Sequence, residues 1–161
     1  MDSDEFIIPY STNLGINYLI KFSPFDKSVL PDNINIEIKI IDIVIETDAT
    51  PKEIRNNAGS LIKISKLINE YVDSNNGIYY CYCSDKPIER SKRKLHLTNQ
   101  EYRSLLFLKM FEKENNNDLY INKRIIINDP QNGHHYIHLI SKIENKKTVM
   151  LISEHLKKHN K

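Results

Sequence analysis

Three histidines fall within five positions of the segment DPQNGHHYIHLI, residues 129–140. Imidazole is a common metal ligand and changes its charge near neutral pH, so this cluster is the first place to look for chemistry. His134 and His138 stand at i and i+4. On a helix that spacing would stack them one turn apart, as in a zinc pair. The flanking residues argue otherwise. Asp129-Pro130 and Asn132-Gly133 are turn signals, and the apolar run before them needs a strand partner. On a strand, i and i+4 lie about 13 Å apart, too far for one metal. No glutamate follows the first histidine, as a metalloprotease helix requires. We therefore expect a strand without a metal site, with His134, Tyr136 and His138 on one face and His135, Ile137 and Leu139 on the other. No catalytic set assembles from the sequence. The candidates for general base or acid are His134, Tyr136 and His138.

A second cluster is basic. The stretch KPIERSKRK carries Lys86, Arg90, Lys92, Arg93 and Lys94, and Tyr79, Tyr80 and Tyr82 precede it. Cations beside aromatics could hold a phosphate backbone and stack on bases. A solvated helix face is the plainer reading, because 23 basic residues are nearly balanced by 21 acidic ones. Only four glycines exist, and none builds a phosphate-cradling loop. No serine sits in a nucleophile elbow. Asp42 is the one carboxylate inside an apolar run. Cys81 and Cys83 alternate on one strand face, about 6.5 Å apart with parallel Cβ vectors, which is poor disulfide geometry. They read as reduced residues, one or both in the core, with a metal or redox role as the alternative.

The elements that must position these residues follow from periodicity. FIIPYS (6–11) and GINYLIKF (15–22) flank TNLG as a hairpin. INIEIKIIDIVIE (34–46) is a long strand whose apolar phase slips between Ile40 and Ile41. A β-bulge there would put Ile38 and Ile43 on the same buried face and turn Asp42 outward; a strand buried on both faces is the alternative. TPKEIRNNAGSLIKISKLINEYV (50–72) is the clearest helix, with Thr50 as N-cap, Pro51 at the first position and Glu53 closing a capping box. Its expected apolar stripe is Ile54, Ala58, Leu61, Ile62, Ile68 and Val72. The strand IYYCYC (78–83) follows, so a crossover with two parallel strands is expected. A short basic helix within 84–97 comes next. A helix capped by Thr98 with Glu101 follows, bearing Tyr102, Leu105, Leu106 and Met110 and, less firmly, Phe107 and Phe111. The strands 118–128 and 134–144 pair across the turn DPQNG, and KTVMLISEHLKKH closes the chain as an amphipathic helix.

The expected fold is α+β: a single domain over 1–161 with one mixed sheet of about six strands in the order β-β-β-α-β-α-β-β-α. From the third strand onward this order resembles the core of the GNAT acetyltransferase superfamily, and the phase slip at Ile40–Ile41 falls where that family has its bulge. IYYCYCSDKPIERSKRKL and HHYIHLISK resemble an uncharacterised bacterial family of domains of unknown function. The GNAT resemblance implies a coenzyme A site at a loop Q/R-x-x-G-x-G/A. The nearest match, RNNAGS (Arg55–Ser60), has Gly59 one place off and lies inside the expected helix. If a cleft exists between the parallel strands, its phosphate end falls near Thr47–Glu53. There Pro51 has no donor, Thr50 is committed as a cap, and Asp48 and Glu53 repel a pyrophosphate.

The bulk numbers fit these readings. With 161 residues, 40% hydrophobic and 27% charged, the chain is globular rather than disordered. A net charge of +2 favours neither a strong nucleic-acid binder nor a membrane-surface protein. The longest apolar runs are too short to span a bilayer, and the acidic start MDSDEF lacks a signal segment, so a cytoplasmic protein is expected. The functional reading is a small binding or accessory protein on a GNAT-like scaffold, without a cofactor and with another protein as partner. The alternatives are an acetyl-CoA-dependent N-acyltransferase with degenerate motifs, or a nucleic-acid-associated protein using the 86–94 patch.

Overall fold

The computed structural model describes residues 5–12, 15–26, 28, 30, 38–47, 58–86, 92–114 and 119–158. Six strands form one sheet: β1 (Phe6–Ser11), β2 (Asn17–Pro24), β3 (Ile40–Thr47), β4 (Ile78–Tyr82), β5 (Tyr120–Ile127) and β6 (His135–Lys142). Their spatial order is β1-β2-β3-β4-β6-β5. Every neighbouring pair is antiparallel except β3 and β4, which run parallel. Three helices accompany them among the described residues: α1 (Ala58–Ser74), α2 (Asn99–Glu114) and α3 (Lys146–Lys158). The α+β class, the mixed six-stranded sheet and the order of elements are as the sequence predicts.

Alternation along the strands divides the core into two layers. On one face, Tyr18, Ile20, Phe22, Ile43, Tyr79, Cys81 and Ile140 pack under α1 (Ile64, Ile68, Val72) and α2 (Phe111). On the other, Ile40, Ile78, Ile125, Ile137 and Leu139 pack under α3 (Val149, Ile152). One row of directly opposed residues crosses the whole sheet on the first face: Phe6, Phe22, Ile43, Cys81, His138 and Arg124. It is apolar over β1–β4 and becomes polar on β6 and β5.

The bulge is not found. β3 pairs in unbroken register with β2 from Pro24↔Ile41 to Tyr18↔Thr47, and with β4 from Ile40↔Ile78 to Ile43↔Cys81. Ile38 and Ile40 belong to the layer under α3, whereas Ile41 and Ile43 belong to the layer under α1. The apparent phase slip is a change of covered face: Ile38 and Ile40 are covered on the α3 side, and from Ile41 the apolar pair Ile41 and Ile43 is covered on the α1 side, while Val44 on the α3 side is exposed. This removes the main structural link to the GNAT core. It also corrects Asp42, which is half-buried on the α3 side, where desolvation raises its carboxyl pKa. Ile34 and Ile36, the cap Thr50–Glu53 and Ile54 lie outside the described residues, as do the side chains of Ala58 and Leu61. In the remainder of the α1 stripe, Ile62 is exposed and Ile64 takes the buried place.

The two parallel strands part company early. Their ladder ends at Ile43↔Cys81, yet β3 runs on to Thr47. On the other side, β4 stays bonded to β6 through Tyr82↔Ile137 and the Cys83 N–H to Tyr136 carbonyl bond. Among the described residues no strand pairs with residues 44–46 on the β4 side; this interval between the carboxyl ends of β3 and β4 is the gap. Because β2 and β6 run antiparallel to their neighbours, the β1–β2 turn and the β5–β6 turn both lie at this end of the sheet. Gly15 and Gly133 supply the left-handed conformation in these turns, with φ of 82° and 84°. Gly133 has a second constraint, since a Cβ there would come within 2.7 Å of the Gln100 amide nitrogen.

Candidate functional site

The sequence-predicted histidines separate into two environments. Tyr136 and His138 share the face under α2, as expected, while His134 precedes β6 and is exposed. His134 Nδ1 accepts the backbone N–H of Asp129 at 3.1 Å. The three candidates thus do not form one site. Among the described residues no group of three or more His, Cys, Asp or Glu could hold a metal ion.

His138 is fully buried and engaged at both ring nitrogens. Ser104 Oγ lies 2.8 Å from Nε2, and Asn122 Oδ1 lies 2.8 Å from Nδ1. Arg124 Nε donates to Ser104 Oγ at 2.7 Å. The protons can be assigned by elimination. Asn122 Oδ1 only accepts, so the proton of the neutral ring sits on Nδ1; Nε2 is then an acceptor and the Ser104 O–H turns to it, while the Ser104 oxygen accepts from Arg124. Burial, then the Arg124 charge, hold the His138 pKa down at about 4, so the neutral ring this network needs is the one present at neutral pH. Phe107 covers the ring at 4.9 Å between centroids.

The sequence Ser–His–Asn has the order of a nucleophile, a base and an orienting group. Here it is closed. Ser104 is fully buried, and its oxygen is already held by Arg124. Asn122 Nδ2 is buried without a hydrogen-bond partner. Tyr136 is buried beside it with Arg124 over its ring at 5.1 Å, and burial, followed by the Glu101 charge, raises its phenol pKa. This cluster is a polar plug where the core would otherwise run out of apolar side chains, not an open reaction centre.

The second environment lies at the rim of the gap. His135 Nε2 meets Asp129 Oδ2 at 2.9 Å, and its Nδ1 meets the Tyr82 hydroxyl at 2.6 Å. Asp129 is itself fixed by the backbone N–H and the side-chain amide of Asn132. The hydrogen bond from His135, foremost among several donors, lowers the Asp129 pKa. Sequence reasoning placed His135 with Ile137 and Leu139, which is correct for its face, but passed over its partners. Tyr82 and Asp129 are far apart in sequence, and only the β4–β6 register brings them together.

No protein family, curated protein or solved structure matches the chain.

The basic cluster is exposed where it is described. Within the expected short basic helix, Lys92, Arg93 and Lys94 form a single 3-10 turn; Lys86 is exposed, and Arg90 lies outside the described residues. The aromatics expected beside it are dispersed by strand alternation. Tyr79 is buried under α1, Tyr80 packs on Phe25 at 4.7 Å on the opposite face, and only Tyr82 is open to solvent. Cys81 and Cys83 are both unpaired and buried; burial pushes the thiols up, that of Cys83 to about 12, so neither is a ready nucleophile.

Proposed function

We propose that this chain is a small binding protein, and that the gap between β3 and β4 receives an extended segment of another protein. The observation that supports this reading is the early end of the parallel ladder. Among the described residues no strand pairs with residues 44–46 on the side of β3 that faces β4. Such an edge is satisfied by adding a strand, and peptide recognition by strand addition uses this arrangement. Val44 and Ile45, exposed by 40% and 38%, would give the added strand apolar contacts on both faces. The closed Ser104–His138–Asn122 cluster fits a role in binding rather than turnover. A cytoplasmic setting belongs to this proposal and sits well with two unpaired cysteines. Among the described residues no helix is long and apolar enough to cross a membrane.

A second reading, an acyl-CoA-dependent N-acyltransferase, draws on the same gap and on the GNAT-like order of elements. Its phosphate end would fall on Thr47–Glu53, of which only Thr47 is described. The Pro51, Asp48 and Glu53 chemistry of that stretch disfavours a pyrophosphate. We expect acetyl-CoA to bind more weakly than about 1 mM, equivalent to about 4 kcal/mol at most. A titration followed by amide-resolved NMR tests both readings. Extended hexapeptides should shift Val44–Thr47 and Cys83–Ser84, and acetyl-CoA should not saturate. Low-micromolar acetyl-CoA binding would put the acyltransferase first, and peptide shifts confined to another surface would remove the gap from consideration.

A further inference from the structure

The rim triad goes beyond a binding role. We propose that Tyr82 is a nucleophile whose hydroxyl is activated by His135 and positioned by Asp129, and that it takes a neutral activated acyl group, such as an acyl-imidazole, aryl ester or thioester.

The argument starts from proton positions. The Asp129 carboxylate only accepts, so the His135 proton facing it sits on Nε2. In the neutral ring Nδ1 is then a lone pair, and the Tyr82 hydroxyl 2.6 Å away donates to it. This is the division of labour of an activated nucleophile: the carboxylate fixes the tautomer, and the imidazole receives the hydroxyl proton. Unlike Ser104, the phenol can be reached, since Tyr82 is 46% exposed.

The surroundings select the electrophile. Burial, then the nearby Asp85 and Asp129 carboxylates, raise the Tyr82 pKa, so the phenol keeps its proton at rest and yields it only during transfer. The same carboxylates oppose the approach of a phosphoryl dianion and leave a neutral carbonyl as the suitable partner. One residue past the last ladder pair, Val44 on β3 and Tyr82 on β4 share a face across the gap. Val44 is 40% exposed and would give the acyl chain an apolar rest.

In the step itself, the Tyr82 Oη forms a bond to the acyl carbon while its proton passes to His135 Nδ1. The tetrahedral intermediate collapses with cleavage of the bond to the leaving group. His135 returns the proton to that group, and an acyl-tyrosine ester remains.

N-acetylimidazole is the direct probe, with acetylation of each tyrosine followed by peptide mass spectrometry at pH 7.5. Tyr10, half-buried on β1 and remote in the sheet from this rim, is the internal reference. The rate at Tyr82 should fall about 10-fold or more in His135→Asn, at the low end of what a general base contributes. Asp129→Asn should give a similar loss, because an amide donating to Nε2 moves the ring proton to Nδ1 and turns it away from its role as acceptor. The 15N shifts of His135 should report that tautomer change. A Tyr82 rate unchanged in either variant, or falling together with Tyr10, overturns the proposal. Peptide or acetyl-CoA binding plays no part in this measurement, so its failure is separate from failure of the binding role.

Discussion

His138→Ala should lower unfolding stability by about 4 kcal/mol, a loss at the upper end for a single substitution. Two effects add. The imidazole is fully buried under Phe107, so truncation leaves a cavity in a packed layer. Truncation also removes the partner of the Ser104 hydroxyl and of Asn122 Oδ1, and stranding a buried polar group costs about 1–3 kcal/mol. Urea unfolding of the two proteins measures it. A loss below about 1 kcal/mol would show that water, not His138, satisfies the cluster. The same residue fixes a pH dependence. Burial holds the His138 pKa at about 4 when folded, against 6.5 for an ordinary histidine. The unfolded chain therefore binds more protons between these values, so stability rises with pH across that window. This contribution is complete above about pH 6.5 and is lost as pH falls to about 4. At about 1.4 kcal/mol per pH unit, it amounts to about 3 kcal/mol. His138→Asn should abolish that part of the slope; an unchanged slope would assign it to other groups.

Tyr79→Ala should cost about 4 kcal/mol, and Tyr79→Phe about 1 kcal/mol. Tyr79 is fully buried at the centre of the layer beneath α1. Its ring meets Phe22 at 6.1 Å and Tyr71 at 6.0 Å, edge-on at 89° to each. Phe22 and Tyr71 stack on one another at 4.0 Å. Edge-to-face pairs of this kind contribute beyond their area, so deleting the ring removes two contacts as well as its volume. The hydroxyl has a separate task. It donates to the carbonyl of Asn75, just past the end of α1, where backbone acceptors lack helical partners. Guanidinium unfolding should show a shifted midpoint at constant slope for both variants, with Phe recovering most of the loss. Equal losses for Ala and Phe would transfer the effect from the ring to the hydroxyl.

The frame of this protein was legible because it rests on periodicity and turn chemistry. Gly15, Asp129-Pro130 and Gly133 marked the turns, and Thr98 caps α2 through the N–H of Glu101 as its sequence suggests. The strand faces of 135–139 were also readable, since alternation alone fixes them. The sites were not. The face that α2 turns inward includes Gln100 and Ser104 with Phe107 and Phe111, half of it polar, so the apolar pattern puts Tyr102, Leu105, Leu106 and Met110, which are only half-buried, ahead of Phe107 and Phe111, which pack on the core. Ser104, Asn122 and His138 come from three separate elements, and so do Tyr82, Asp129 and His135. Such sets exist only through strand register, which single-sequence patterns do not carry. β3 misled for the opposite reason. A strand whose covered face changes along its length shows apolar residues first in one phase and then in the other, and this looks like a slip.

The short parallel ladder has a mechanical meaning. Strands β1, β2 and β3 form one antiparallel leaf and β4, β6 and β5 another, and the backbone joins them at only four residue pairs, Ile40↔Ile78 to Ile43↔Cys81. The β4–β6 ladder inside the second leaf also has four pairs, so the join is set apart by direction: it is the parallel ladder of the sheet, and parallel pairing is slightly less stable per residue. Anything wedged beyond Ile43 acts as a lever at the open end of this join. Its thickness would be converted into the spacing between the two hairpin tips, the β1–β2 turn at Gly15 on one leaf and the β5–β6 turn at Gly133 on the other, so these tips would report on what occupies the gap.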